Sequence, residues 1–136
     1  MAVLEQDTLH RVMLPWPTEL ELAIQQAQLN ELRSRPNGPQ KYFAGRCLSR
    51  LLEDAGLKTQ SVRPFCCVRR APLDDDERCF LTGYLGVLGE RAGPHLRAAD
   101  RRRFAALTDP DSSDYLLNRP DLYVTFLDIL AIGRRD

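Results

Sequence analysis

The spacing of apolar positions changes along the chain, and each change marks an element. Ala2, Val3 and Leu4 form a short apolar run that turns polar at Glu5, Gln6 and Asp7. This suits a strand over residues 1–7 whose far end emerges into solvent. Pro15-Trp16-Pro17 then interrupts the chain. Thr18 with Glu21 three residues on reads as a capping box, and Leu20, Ile24, Ala27 and Leu32 fall roughly on one side of a helix reaching about Arg33. The turn chemistry of Pro36-Asn37-Gly38-Pro39 ends it. Next, Phe43, Cys47, Leu48, Leu51, Leu52 and Ala55 recur at helical steps as one continuous stripe, closed by Gly56 as a left-handed cap.

Residues 58–69 read as an extended segment carrying Val62, Phe65, Cys66, Cys67 and Val68. Pro64 within it has no N–H for a ladder and argues for a sheet edge. Asp74 to Glu77 place negative charge at the start of a third helix, whose apolar face is Phe80, Leu81, Tyr84, Leu85 and Leu88. Gly93-Pro94 separates it from an arginine-rich helical stretch ending near Leu107, and a brief helix is predicted over 113–117. The closing run from Leu122 to Arg134 carries β-branched and aromatic residues on both parities. That pattern predicts a strand buried on both faces.

Composition narrows the function classes. Charge balances at 19 basic against 19 acidic residues, so bulk attraction to nucleic acid is not expected. No apolar run is long enough to span a membrane. The opening residues lack the basic segment and long apolar core of a signal peptide. Cys47, Cys66, Cys67 and Cys79 form no CxxC pair and have no histidine at ligand spacing, so no metal site is expected, and reduced thiols in a cytoplasmic protein are the default.

Several strings, taken in order, resemble the C-terminal half of a class I S-adenosylmethionine-dependent methyltransferase of the small-molecule type. Val3-Leu4-Glu5-Gln6-Asp7-Thr8 looks like that family's fifth strand. The stretch Tyr42-Phe43-Ala44-Gly45-Arg46-Cys47-Leu48, continuing through Leu51-Leu52-Glu53-Asp54-Ala55-Gly56-Leu57, is similar to its Gly-Arg helix and Ala-Gly-Leu turn. Tyr123-Val124-Thr125 to Ala131-Ile132-Gly133-Arg134-Arg135 resembles its last strand. The resemblance implies an α/β, partial Rossmann-like fold: a three-stranded sheet of 1–7, 58–69 and 122–134 with packed helices. It also implies a single domain over 1–136 with a helical insertion at about 74–117.

The departure from the family is equally informative. A glycine-rich loop that lets the backbone approach the cofactor is missing, since no G-x-G-x-G string occurs and Gly83, Gly86 and Gly89 lie inside a helical pattern. The expectation is a methyltransferase-related protein, inactive alone, that binds no cofactor by itself and meets S-adenosylmethionine only when complemented by a partner. It would be a substrate-side subunit or a cofactor-free relative, with a small-molecule substrate. The alternative is a non-catalytic dimerisation or regulatory module. In either case strand 1–7 lacks its fourth-strand neighbour, and its open edge is expected to bind another copy or a separate chain.

Four residues are candidates for chemistry. His10, oriented by Asp7, lies where ligands of open α/β sheets bind and would act as a general base; the alternative is a solvated loop pair. Trp16 either walls a substrate pocket or packs over the helix start. Arg46 either reaches a substrate carboxylate or phosphate or pairs with Asp54 or Glu53 on the surface.

Overall fold

A computed structural model describes residues 1–5, 12–36 and 44–135 of the chain. It is a mixed α/β protein with a four-stranded antiparallel sheet and four α-helices among the described residues. The strands are β1 (Ala2–Glu5), β2 (Val12–Met13), β3 (Lys58–Arg70) and β4 (Tyr123–Arg134); the helices are α1 (Thr18–Arg33), α2 (Leu48–Asp54), α3 (Asp75–Ala92) and α4 (Ala98–Thr108).

β4 is the hub of the sheet, pairing with β1, β2 and β3. The β1 register runs from Ala2↔Ile132 to Glu5↔Ile129, and β2 pairs through Val12↔Phe126 and Met13↔Thr125. The three-strand expectation is therefore corrected by one strand. At two residues, β2 is too short to leave any alternation in the sequence. Of residues 1–7, the strand takes Ala2–Glu5, and residues 6 and 7 lie outside the described residues. Pro64 sits in β3, which has only β4 as a strand partner among the described residues, so its missing N–H need not interrupt the sheet interior.

The chain divides into two compact units. Of the described residues, the sheet unit holds 1–5, 12–13, 44–68 and 125–135, and the helical unit holds 14–36 and 69–124.

In the sheet unit, Leu48, Leu52 and Ala131 form a buried cluster joined by Val3, Leu57 and Ile129. α2 ends in a left-handed turn: Gly56 has φ 73°, its N–H donates to Glu53 O at 2.9 Å, and Leu57 N–H donates to Leu52 O at 2.9 Å. This pair of bonds satisfies two orphan carbonyls and lays Leu57 beside Leu52. The expected single stripe is shortened. Ala44–Cys47 is a 3-10 turn, α2 begins only at Leu48, and Leu51 is 47% exposed, because seven helical residues bury only the Leu48 and Leu52 positions. Tyr42 and Phe43 lie outside the described residues.

In the helical unit, Leu20, Ile24 and Ala27 of α1 pack with Leu88 and Ala92 of α3, Leu96, and Phe104 of α4. The capping box expected at Thr18 does not form. Thr18 is already helical, and the cap position falls to Pro17, which makes no side-chain cap hydrogen bond. Glu21 instead accepts from Gln25 Nε2 at 3.0 Å. The box appears at α3, where Asp74 Oδ1 accepts from Glu77 N–H at 2.8 Å and Asp74 N–H donates to Glu77 Oε2 at 3.2 Å. Phe80 of α3 is 46% exposed, so the buried face is the narrower Leu81, Leu85 and Leu88 line. The brief helix expected over 113–117 is a 3-10 turn at Leu116–Asn118. In β4, Val124, Thr125, Ala131 and Gly133 are buried, the positions from Phe126 to Leu130 are half-buried, and Tyr123 and Ile132 are exposed, so two-sided burial is incomplete.

Arg101 secures the end of α3. Its Nε donates to Gly93 O at 2.9 Å, and its Nη2 donates to Pro94 O at 3.3 Å and Leu96 O at 3.2 Å. Carbonyls past a helix end have no intrahelical partner, and a guanidinium fork reaches several at once. Arg101→Ala should lower stability by about 1 kcal/mol, the carbonyls being partly open to water, with Arg101→Lys recovering only part. Urea denaturation measures the difference, and an unchanged midpoint for Arg101→Ala would refute the assignment.

Candidate functional site

The sequence candidates are not brought together. Asp7 and His10 lie outside the described residues. Trp16 is half-buried in the helical unit, stacked on Phe104 with ring centroids 5.6 Å apart and planes 21° apart. Its place is over the start of α1 against the core. Arg46 is exposed on the 3-10 turn before α2. Other arginines are committed to scaffolding. Arg78 donates to Asn118 Oδ1 at 3.0 Å and Leu117 O at 3.2 Å, and Arg69 pairs with Glu77. Arg119 grips Asp121 with two bonds of 2.9 and 2.7 Å, and that hydrogen-bonded guanidinium holds the Asp121 carboxyl below its ordinary range.

One cleft in the helical unit gathers ionisable groups. It encloses about 510 Å³ beside α1, over the buried Ala27 and Leu96, with Glu19, His95, Arg97 and Asp100 among its walls. The side chains of these four form no hydrogen bond or ion pair among the described residues, so no base is held on a nucleophile or acid there. His95 is exposed on the 3-10 turn Gly93–His95. The four cysteines are free thiols, and no group of three histidine, cysteine or acidic side chains that could hold a metal occurs among the described residues. No described helix is long and apolar enough to cross a membrane.

The outer edge of β1 has the more defined chemistry. Met1 N donates to Gly133 O at 2.7 Å and Gly133 N–H donates to Met1 O at 2.9 Å, so these residues form a hydrogen-bonded pair. Antiparallel ladders alternate hydrogen-bonded with non-hydrogen-bonded pairs. Following the printed register, Val3↔Ala131 and Glu5↔Ile129 bond inwards, while Ala2↔Ile132 and Leu4↔Leu130 do not. The N–H and C=O of Ala2 and Leu4 therefore point away from β4, and β1 pairs with no other strand among the described residues. Side chains follow the same parity. Val3 packs into the Leu48–Leu52–Ala131 cluster on one face, and on the other Leu4 is 62% and Ile132 38% exposed.

The second outer edge, β3, is defended differently. It carries Lys58, Arg63, Arg69 and Arg70 with no acid, and Pro64 removes one donor. Charge and proline are the usual devices that blunt an edge against pairing. Residues Ala2–Glu5 have neither proline nor lysine. The sequence signalled an open edge; the direction of its hydrogen-bonding groups became visible only with the register. Comparison with known proteins returns no match to this chain among protein-family models, curated proteins or solved structures.

Proposed function

We propose that the chain is a methyltransferase-related module, built like the C-terminal half of a class I S-adenosylmethionine-dependent enzyme, that works only with a partner chain docked on the outer edge of β1. The observation that carries this reading is the pairing of β4, antiparallel with β1 and also joined to β3. In that family the last strand lies between the fifth and sixth, and the fourth would occupy the flank of β1 that has no strand among the described residues. The role is a substrate-side subunit or cofactor-free relative acting on a small molecule in the cytoplasm.

The cofactor does not fit the residues described. Among the described glycines only Gly56 has a positive φ, and it is spent on ending α2. The other described glycines have no positive φ and form no glycine-rich loop, so on this reading any grip on S-adenosylmethionine belongs to the partner. Calorimetric titration of S-adenosylmethionine into the chain alone is expected to show no saturable heat. Saturable binding would overturn the claim that the grip is missing. A second reading, a non-catalytic dimerisation or regulatory module on the same scaffold, is favoured by the apolar Leu4 and Ile132 exposed beside the outer edge.

A further inference from the structure

We infer that the chain covering the β1 edge is a second copy of this chain, joined by antiparallel β1–β1 pairing about a two-fold axis at Val3. This rests on the reading above that the edge receives another chain, and it names that chain. A two-fold interface must be self-complementary, each residue i meeting j while j meets i. With the axis at Val3, Ala2 of each copy faces Leu4 of the other. These are the residues whose N–H and C=O groups point away from β4, so all of them find partners at once. The register uses all of Met1–Glu5.

The side chains agree with this register. Val3 would face its counterpart as a non-hydrogen-bonded pair, the closer kind of antiparallel pair. Each Val3 already packs on Leu48, Leu52 and Ala131, so the two apolar clusters would meet across the axis. On the other face, the 62%-exposed Leu4 would gain a neighbour. Charge is compatible as well. Glu5 of one copy faces Met1 of the other, leaving the two carboxylates about 13 Å apart along the strands, beyond the screening distance at physiological salt. An axis at Glu5 would instead set the two carboxylates opposite one another. Pairing through β3 would oppose two strands that each carry four basic residues, no acid and Pro64, which makes β1 the more compatible edge.

Sedimentation or light scattering up to millimolar protein tests the pairing, because an edge this short belongs to the weak end of interface sizes. The expected result is a mass of twice 15.5 kDa at high concentration. Leu4→Pro removes an outward donor and no β1–β4 bond, and should be monomeric at the same concentration. If that variant fails to fold, Val3→Cys is the second route: oxidation should link two copies through the substituted positions, located by peptide mass mapping against the native thiols. A dimer unaffected by Leu4→Pro and not linked through position 3 overturns the proposal. Amide exchange separates its failure from that of the parent reading. A wild-type monomer with a fast-exchanging Leu4 N–H rules out the second copy yet leaves the edge open. A monomer with that N–H protected removes both.

Discussion

Phe104→Ala is expected to destabilise the helical unit by about 3–5 kcal/mol, the range for deleting a buried aromatic ring. Phe104 is 5% exposed and sits where α1, α3 and α4 meet, among Leu20, Ile24, Leu88 and Leu96. Two features fix the ring. Trp16 stacks on it at 5.6 Å, an arrangement that adds about 0.5–1.5 kcal/mol beyond burial. Gly89 faces it from α3, where a Cβ would come within 3.2 Å of Phe104 Cε1. Removing the ring therefore leaves a void that a helix lined by glycine at that point cannot fill. Trp16 is the single tryptophan and reports the change directly. Its emission should shift to the red, and the urea midpoint should fall. Phe104→Leu should lose less than half as much. A loss under about 1 kcal/mol for Phe104→Ala would show that the junction collapses without cost.

The elements legible from sequence were those whose pattern outlasts one turn or a few alternations. β3, β4, α1 and α3 fall within a residue or two of their expected bounds, because their apolar periodicity is long and their ends carry proline or acidic signals. Short-range reasoning went astray where two local signals competed. Thr18 and Glu21 have capping-box spacing, but Trp16-Pro17 already bends the chain, with Trp16 N–H donating to Leu14 O at 2.8 Å, and the helix starts one residue early. At Asp74 no such competitor exists, and the box forms. Leu51 and Phe80 show the complementary error: helical spacing assigns residues to a broad face, whereas the neighbouring elements decide how much of it is covered.

The candidate site was less legible for a physical reason. An open edge is defined by which N–H and C=O groups lack partners, and that depends on a register that one residue of slippage would invert. The sequence could mark Ala2-Val3-Leu4 as apolar and free of proline; it could not tell that Ala2 and Leu4, and not Val3, face outwards. Trp16 illustrates a related ambiguity. A broad aromatic between two prolines suits a pocket wall or a core lid equally well, and its partner Phe104 is 88 residues away in the chain.

Gly133 joins the strand reading to the packing, and Gly133→Val is expected to destabilise the sheet unit by about 1–3 kcal/mol, the usual range for overpacking. A Cβ there would meet Leu57 Cβ at 3.1 Å and Leu52 Cδ2 at 3.1 Å. Leu52 could rotate, but Leu57 Cβ is one bond from a backbone that the Gly56 turn holds by its bond to Leu52 O. The strain must pass to α2 or to β4, and β4 at this point exchanges two hydrogen bonds with Met1. The sign makes the test decisive. On strand propensity alone, replacing glycine should help, because glycine in a strand interior costs roughly 0.5–1 kcal/mol relative to alanine. Close approach of α2 predicts the reverse for valine, with Gly133→Ala in between. Urea denaturation gives the sign, and faster exchange of the Val3 amide would show the disturbance reaching β1. A stabilised Gly133→Val would mean that α2 shifts freely over the sheet, and the glycine of the Gly-Arg pair that ends β4 would then have no packing role.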